Sequence, residues 1–286
     1  MIIHFFRERV KPRIDYYQLI DNYFDSLPNT TITSNDDEVK ITINFPNFDF
    51  SYDYLITKRS RVTSLYKLNI DYTSTNLLCE IPFFVPQYIS RMIFRQVSDL
   101  CDKFELAIYY EAYADITKFD MLQLIDYLGK ERIKYLDEHL EIGNYRIPNR
   151  VLNEMCCYQS LIDTLPKQIK DPVIAPKYTI LCENKSGEVK TSIVWPVGSA
   201  MIFPPHLDYI EIVEDDNLVA LVPQEMFFHY AERMMYEIKD KSIDLKILYL
   251  NEKSALRLKK LIKKMRKAVL SLTDFTEIKM TDLIEY

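Results

Sequence analysis

Val39-Lys40-Ile41-Thr42-Ile43-Asn44-Phe45 alternates apolar and polar residues at every step. In an extended chain successive side chains point to opposite faces. This period of two therefore predicts a strand with one buried and one wetted face, as in antiparallel sheets. Leu65–Tyr72 carries the same alternation and predicts a second strand, and Leu77–Phe84 predicts a third. Pro86 then stands where proline suits the first turn of a helix, and Ile89, Ile93, Val97, Leu100, Cys101 and Phe104 follow at the three-to-four spacing of a helical stripe.

Working outward toward the N-terminus, Ile2–Phe6 reads as a strand, Ile14–Leu27 as a helix, and Pro28–Asp37 as a polar, turn-rich connection. Toward the C-terminus come a strand over Glu105–Tyr110, a long helix over Phe119–Leu140 weakened at Gly129, and a helix over Asn149–Leu165. Pro166, Pro172 and Pro176 then fall within eleven residues, which precludes a helix and limits ladder pairing, so a linker is expected over 166–177. Beyond it, strands are expected at Tyr178–Cys182, Val189–Trp195, Tyr209–Val213 and Leu218–Val222. Pro223 opens another helix, Leu245–Leu250 is a strand, and Glu252–Leu272 a final helix. The expected fold is α+β, with domains over 1–165 and 178–286, each a mainly antiparallel sheet covered by helices.

The two halves can be overlaid. Pro86 matches Pro223, Glu105–Tyr110 matches Asp244–Tyr249, and Leu124-Ile125 matches Leu261-Ile262, at offsets of 137, 139 and 137. Three elements in one order at nearly one spacing suggest an internal duplication of strands, helix, strand and helix. The alternative is two unrelated α+β halves that share a common strand-helix-strand pattern.

Composition narrows the chemistry. The chain has 286 residues and only four glycines, Gly129, Gly143, Gly187 and Gly198, too far apart to build a dinucleotide-binding or phosphate-cradling loop. No cofactor is expected. With 48% hydrophobic and 27% charged residues the chain can bury a core, and a net charge of -6 argues against general affinity for nucleic acid. The apolar start, Met1–Phe6, meets Arg7, Glu8 and Arg9 at once and is too short for a signal peptide or membrane span, so a cytoplasmic protein without a transmembrane segment is expected. Five cysteines, none in a C-x-x-C pair, suit buried reduced thiols rather than zinc. The twenty-one tyrosines fit the codon bias of an AT-rich genome and a place in the core, so they carry no ligand assignment.

Three constellations remain. In the last helix Lys253, Arg257, Lys259, Lys260, Lys263, Lys264, Arg266 and Lys267 share one face, and Leu258, Leu261, Ile262, Met265 and Val269 the opposite one. This basic amphipathic pattern could hold phosphate, an anionic surface or an acidic protein; the more ordinary reading is a core-covering helix with a solvated outer face. Trp195 to Pro205, with Phe203, is a proline-punctuated apolar loop that would anchor a partner if exposed; Pro82–Pro86 is a lesser one. His206, Asp208, His229 and Glu232 form a weak candidate for metal-assisted hydrolysis. The acidic run Asp208, Glu211, Glu214, Asp215 and Asp216 is explained by a hairpin turn at least as well as by a hard cation. No nucleophile elbow or zinc-protease helix is present. The residues thus predict a non-enzymatic, protein-binding or regulatory role through the C-terminal domain. Nucleic-acid or polyphosphate binding through the basic helix is the first alternative, metal-assisted hydrolysis the second, and homo-oligomerisation is left open.

Overall fold

The computed structural model describes residues 1–82, 84–139, 145–215, 217–239, 245–265 and 271–286. The chain divides into two compact units, Met1–Glu138 and His139–Tyr286.

The first unit is built on a six-stranded sheet. Its elements are β1 (Ile2–Glu8), α1 (Tyr16–Leu19), β2 (Thr30–Ser34), β3 (Glu38–Phe45), β4 (Phe50–Thr57), β5 (Tyr72–Glu80), α2 (Gln87–Phe104), β6 (Ala107–Tyr109) and α3 (Met121–Glu138). The strands lie in the order β2-β3-β4-β5-β1-β6, with every pairing antiparallel. The opening heptapeptide is β3, and its alternation has the expected result: Ile41 and Ile43 are buried. Strand β4 repeats the rhythm with aromatic residues, burying Phe50, Tyr52 and Tyr54. Helix α2 begins directly after Pro86 and ends at Glu105 in the left-handed conformation, φ 53°. It buries Ile89, Ile93, Phe94, Val97, Leu100 and Cys101, each apolar side chain stabilising the fold by roughly 1.5–3 kcal/mol. The Tyr23 hydroxyl donates to the Gln96 carbonyl at 2.9 Å, and that of Tyr52 bonds the Gln96 side chain, so these two phenols find partners on the helix.

Several first-unit elements depart from the sequence reading. Pro28–Asp37 contains strand β2, because the β-branched run Thr30-Thr-Ile-Thr pairs with β3, and the Asn35 side chain closes the hairpin by accepting from the amides of Asp37 and Glu38. Leu65–Tyr72 is not a strand of its own, and only its last residue, Tyr72, enters one, as the start of β5. Leu65–Lys67 is a turn of 3-10 helix, the Asn69 side chain accepts from the Asp71 amide, and Tyr66 and Ile70 are exposed, so the alternation has no neighbouring strand to pair with. The N-terminal helix is one α turn followed by a π-helical turn, Ile20–Phe24. Leu140, the last residue of the long helix expected over Phe119–Leu140, lies outside the described residues, as does Phe83.

The second unit contains β7 (Arg146–Ile147), α4 (Asn149–Ser160), β8 (Thr179–Glu183), β9 (Val189–Pro196), β10 (Met201–Phe203), β11 (Tyr209–Glu214) and β12 (Asn217–Pro223). It continues with α5 (Gln224–Ala231), β13 (Tyr236–Glu237), β14 (Leu248–Leu250), α6 (Glu252–Lys259), α7 (Ile262–Met265), β15 (Phe275–Ile278) and β16 (Ile284–Glu285). A five-stranded sheet runs β12-β11-β9-β8-β15, antiparallel except where β11 meets β9; a three-stranded antiparallel sheet runs β10-β14-β13, and β16 pairs β7 in parallel. The proline-rich stretch read as a linker is bonded within this unit. Ile174 donates its amide to Ala200 and accepts from Ile202, and the Pro176 carbonyl accepts from the Tyr158 hydroxyl at 3.0 Å.

Both units are mixed α and β with mainly antiparallel sheets, but their strand orders differ. Strand β5 lies inside its sheet between β4 and β1, whereas its expected counterpart β12 is at an edge. Strand β6 joins the same sheet as β5, whereas its counterpart β14 lies in the separate three-stranded sheet. The shared proline-opened strand-helix-strand order is local, and the pairing does not support a duplication.

Candidate functional site

Asn251 starts α6 by accepting the Ser254 amide on its side chain at 2.9 Å. Ala255, Leu258, Ile262 and Met265 are buried at helical spacing and seat the segment on the unit's core. The continuous helix expected over Glu252–Leu272 is two pieces. The amides of Lys260, Leu261 and Lys264 donate to the third residue before each, tightening the backbone between α6 and α7. The apolar stripe survives that break, and so does the cationic face: Lys253, Arg257, Lys259, Lys260, Lys263 and Lys264 are all exposed. Among the described residues only Lys259 of these six has a carboxylate within ion-pair distance, Glu214 Oε1 at 3.6 Å. Such an exposed pair contributes at most about 1 kcal/mol, so the face keeps most of its positive potential. Arg266, Lys267 and Val269 lie outside the described residues.

The apolar loop has a different fate. Trp195 is 0% exposed and Phe203 is 1% exposed. The indole Nε1 donates to the Ser199 carbonyl at 3.0 Å, and its ring stands edge-on to Phe227 with centroids 5.2 Å apart. Phe203 packs on Phe227 and Phe228. Both residues are core, so neither is presented to a partner. The loop turns at Gly198, φ 84°, where an added Cβ would lie 3.6 Å from the side chains of Leu256 and Lys259.

The metal candidates point to separate partners. His206, held at φ 56°, places Nε2 2.7 Å from Glu154 Oε2 on α4. Glu154 also accepts from Arg150 Nε at 2.7 Å. The Arg150 bond holds the Glu154 carboxyl below its ordinary range, with burial opposing and His206 assisting. Asp208 accepts the Thr191 amide at 2.9 Å and its hydroxyl at 3.2 Å. His229 sits edge-on to Tyr230, and Glu232 starts an exposed 3-10 turn. Among the described residues no group of three or more His, Cys, Asp and Glu side chains is arranged to hold a metal ion. Of the acidic run, Glu211 is buried and takes the Ser192 hydroxyl at 2.5 Å, and Asp215 occupies the turn at φ 48°. Asp216 lies outside the described residues.

Two polar pairs escape the sequence reading. Glu154 with His206 joins residues 52 apart in the chain, and Ser192 with Glu211 depends on β9 lying parallel to β11. Neither spacing resembles a local motif. Ser192 is fully buried, so its pair with Glu211 satisfies two core groups and offers no nucleophile to a substrate. Cys156 is buried, which raises its thiol pKa, and none of the five cysteines forms a disulfide.

No helix among the described residues is long and apolar enough to cross a membrane. No family model, curated protein or solved structure matches the chain.

Proposed function

We propose that the protein is a non-enzymatic binding protein whose second unit takes an acidic protein segment on the face of α6 and α7. The observation that carries this reading is the row of exposed cations, Lys253 to Lys264, of which one alone is ion-paired among the described residues. The apolar stripe beneath is committed to the unit's own core, so the face recognises charge. With Trp195 and Phe203 buried, this is the surface of the unit that fits a partner best. The chain's net charge of -6 opposes long-range attraction to any polyanion, and more strongly to a nucleic-acid duplex, with about one charge per 1.7 Å, than to a short acidic peptide. Five cysteines without a disulfide support residence in a reducing compartment such as the cytoplasm.

The test is a titration of the full chain with a fluorescent Glu- and Asp-rich peptide and, in parallel, a DNA duplex, at low and high salt. Peptide binding that weakens with salt is expected. Reversing Lys259, Lys260, Lys263 and Lys264 to Glu should weaken it about ten- to a hundredfold, since each exposed contact contributes up to about 1 kcal/mol. Equal peptide affinity for the reversed chain, or none at low salt, overturns the reading. Preference for the duplex transfers it to a phosphate backbone, with a salt slope that reports the number of contacts.

A further inference from the structure

The first unit carries a groove of about 620 Å³ between the turn that follows β1 and the start of β5. That volume is in the range of small-molecule sites. Its wall is cationic: Arg7, Arg9, Lys11 and Arg13 recur at every second position and all four line it, together with the exposed hydroxyl residue Thr73. Arg7 lies opposite Thr73 in the β1–β5 ladder. Beyond β1 the Arg9 amide donates to the Asp71 carbonyl at 2.8 Å and the Lys11 amide to the Glu8 carbonyl at 3.1 Å, turning the chain so that Arg13 returns to the same groove. Tyr16, also on the wall, donates its hydroxyl to the Thr75 carbonyl and ties the returning chain to β5.

The acids near these cations are few and largely committed. Glu105 sits 3.2 Å from Lys11 and 3.5 Å from Arg7, and Glu8, the acid on the groove wall, is 3.8 Å from Lys11. Donors remain. Arg7 Nε is buried with no hydrogen-bond partner among the described residues. Among the described residues Arg9 spends only Nε, on the Tyr72 carbonyl at 3.2 Å, which leaves both terminal nitrogens. Arg13 is exposed, with no ion pair or hydrogen bond among the described residues. Planar guanidinium forks with spare parallel donors match phosphate oxygens two at a time, which a lysine ammonium cannot do.

We infer that this groove is a binding site for a phosphorylated ligand, with Arg9 and Arg13 gripping phosphate oxygens by their forks and Lys11 and Thr73 completing the contact. The phosphates belong either to a soluble polyphosphorylated molecule or to a lipid headgroup. Val10, 91% exposed, and Ile70, 74% exposed, each lie one residue from the Arg9–Asp71 hydrogen bond, where they would enter a bilayer in the second case.

The experiment uses the full chain with three probes: inorganic pyrophosphate, inositol trisphosphate, and phosphatidylcholine vesicles with and without phosphatidylinositol bisphosphate. Saturable binding of at least one phosphorylated probe is expected. It should fall at least about tenfold in the Arg9→Gln/Arg13→Gln double variant and nearly as far in Arg9→Lys/Arg13→Lys, which keeps the charge and loses the forks. Both positions are exposed, and unchanged circular dichroism and melting temperature confirm that the variants fold. Binding of the soluble probes that ignores Val10→Asp/Ile70→Asp identifies a free ligand, and vesicle binding abolished by that variant identifies a headgroup; either supports the site. Reversal of Lys259, Lys260, Lys263 and Lys264 should leave it untouched, which separates this site from the acidic-peptide face. No binding of any probe at low salt, full binding by the Gln variant, or binding by the Lys variant equal to that of the native chain overturns the inference.

Discussion

Cys101, on the buried side of α2, has its thiol pushed up to about 12, first by burial and then by the neighbouring Asp102 carboxylate. Tyr110 and Tyr113 are pushed up to about 12 as well, mainly by burial, with Tyr127 adding to both and Asp120 acting on Tyr113 before it. The sign follows from which state holds its proton. Below the ordinary thiol value of 9.0 and phenol value of 10.0 all three groups are neutral in both states, and their contribution to stability is fully present. As pH rises through that range the unfolded chain ionises while the folded chain keeps its protons, so stability falls until the folded groups titrate near pH 12. The urea midpoint is therefore expected to lose ground progressively from about pH 9 upward, with a shallower decline in Tyr110→Phe and Tyr113→Phe. An alkaline slope unchanged in both variants would show that water reaches these phenols in the folded chain.

Two glycines at different places in their elements give predictions of opposite sign. Gly129 lies inside α3 with nothing within 4 Å of an added Cβ, so Gly129→Ala should stabilise the first unit by about 0.5–1 kcal/mol through helix propensity and a less flexible unfolded chain. Gly198 turns at φ 84° beneath α6. Its Cβ contacts there are ordinary, so the cost of Gly198→Ala is the backbone itself, about 1–2 kcal/mol. Urea titrations of both variants check this, and a shift of the same sign in both contradicts it. The same distinction between a local signal and its surroundings explains what the sequence makes legible. Strand β3 and helix α2 are read correctly because their periods are backed by partners. Leu65–Ile70 has the period and no partner strand among the described residues, while β2 has a partner and hides among turn residues. The cation row of α6 and α7 follows from spacing alone. The burial of Trp195 does not, because it depends on Phe227 arriving from α5. The alternation of Arg7, Arg9, Lys11 and Arg13 is plain in the sequence, but its convergence on one groove needs the turn at Glu8–Lys11 and the ladder to β5.

At the scale of the whole molecule, the units span 138 residues, Met1–Glu138, and the remaining 148, His139–Tyr286, out of 286. Each is large enough to fold around its own core. The first centres on Phe5, Phe24, Tyr52, Tyr54 and Phe94, and the second on Ile193, Trp195, Phe203, Ile212 and Phe227. The chain has one tryptophan, and it lies in the second core, so its fluorescence reports that unit, whereas far-ultraviolet circular dichroism sees both. Two cores of different sheet order have no reason to share a midpoint, so the two probes are expected to give non-coincident urea transitions. Ligands then assign them. A molecule that binds only folded protein stabilises its own unit by about 2.7 kcal/mol at a hundred times its dissociation constant. A phosphorylated ligand in the Arg9–Arg13 groove should move the transition that fluorescence does not see, and an acidic peptide on α6 and α7 should move the one it does. Superimposed transitions shifted equally by either ligand would mean that the units unfold as one cooperative body, with the Trp195 core melting together with the β1–β6 sheet.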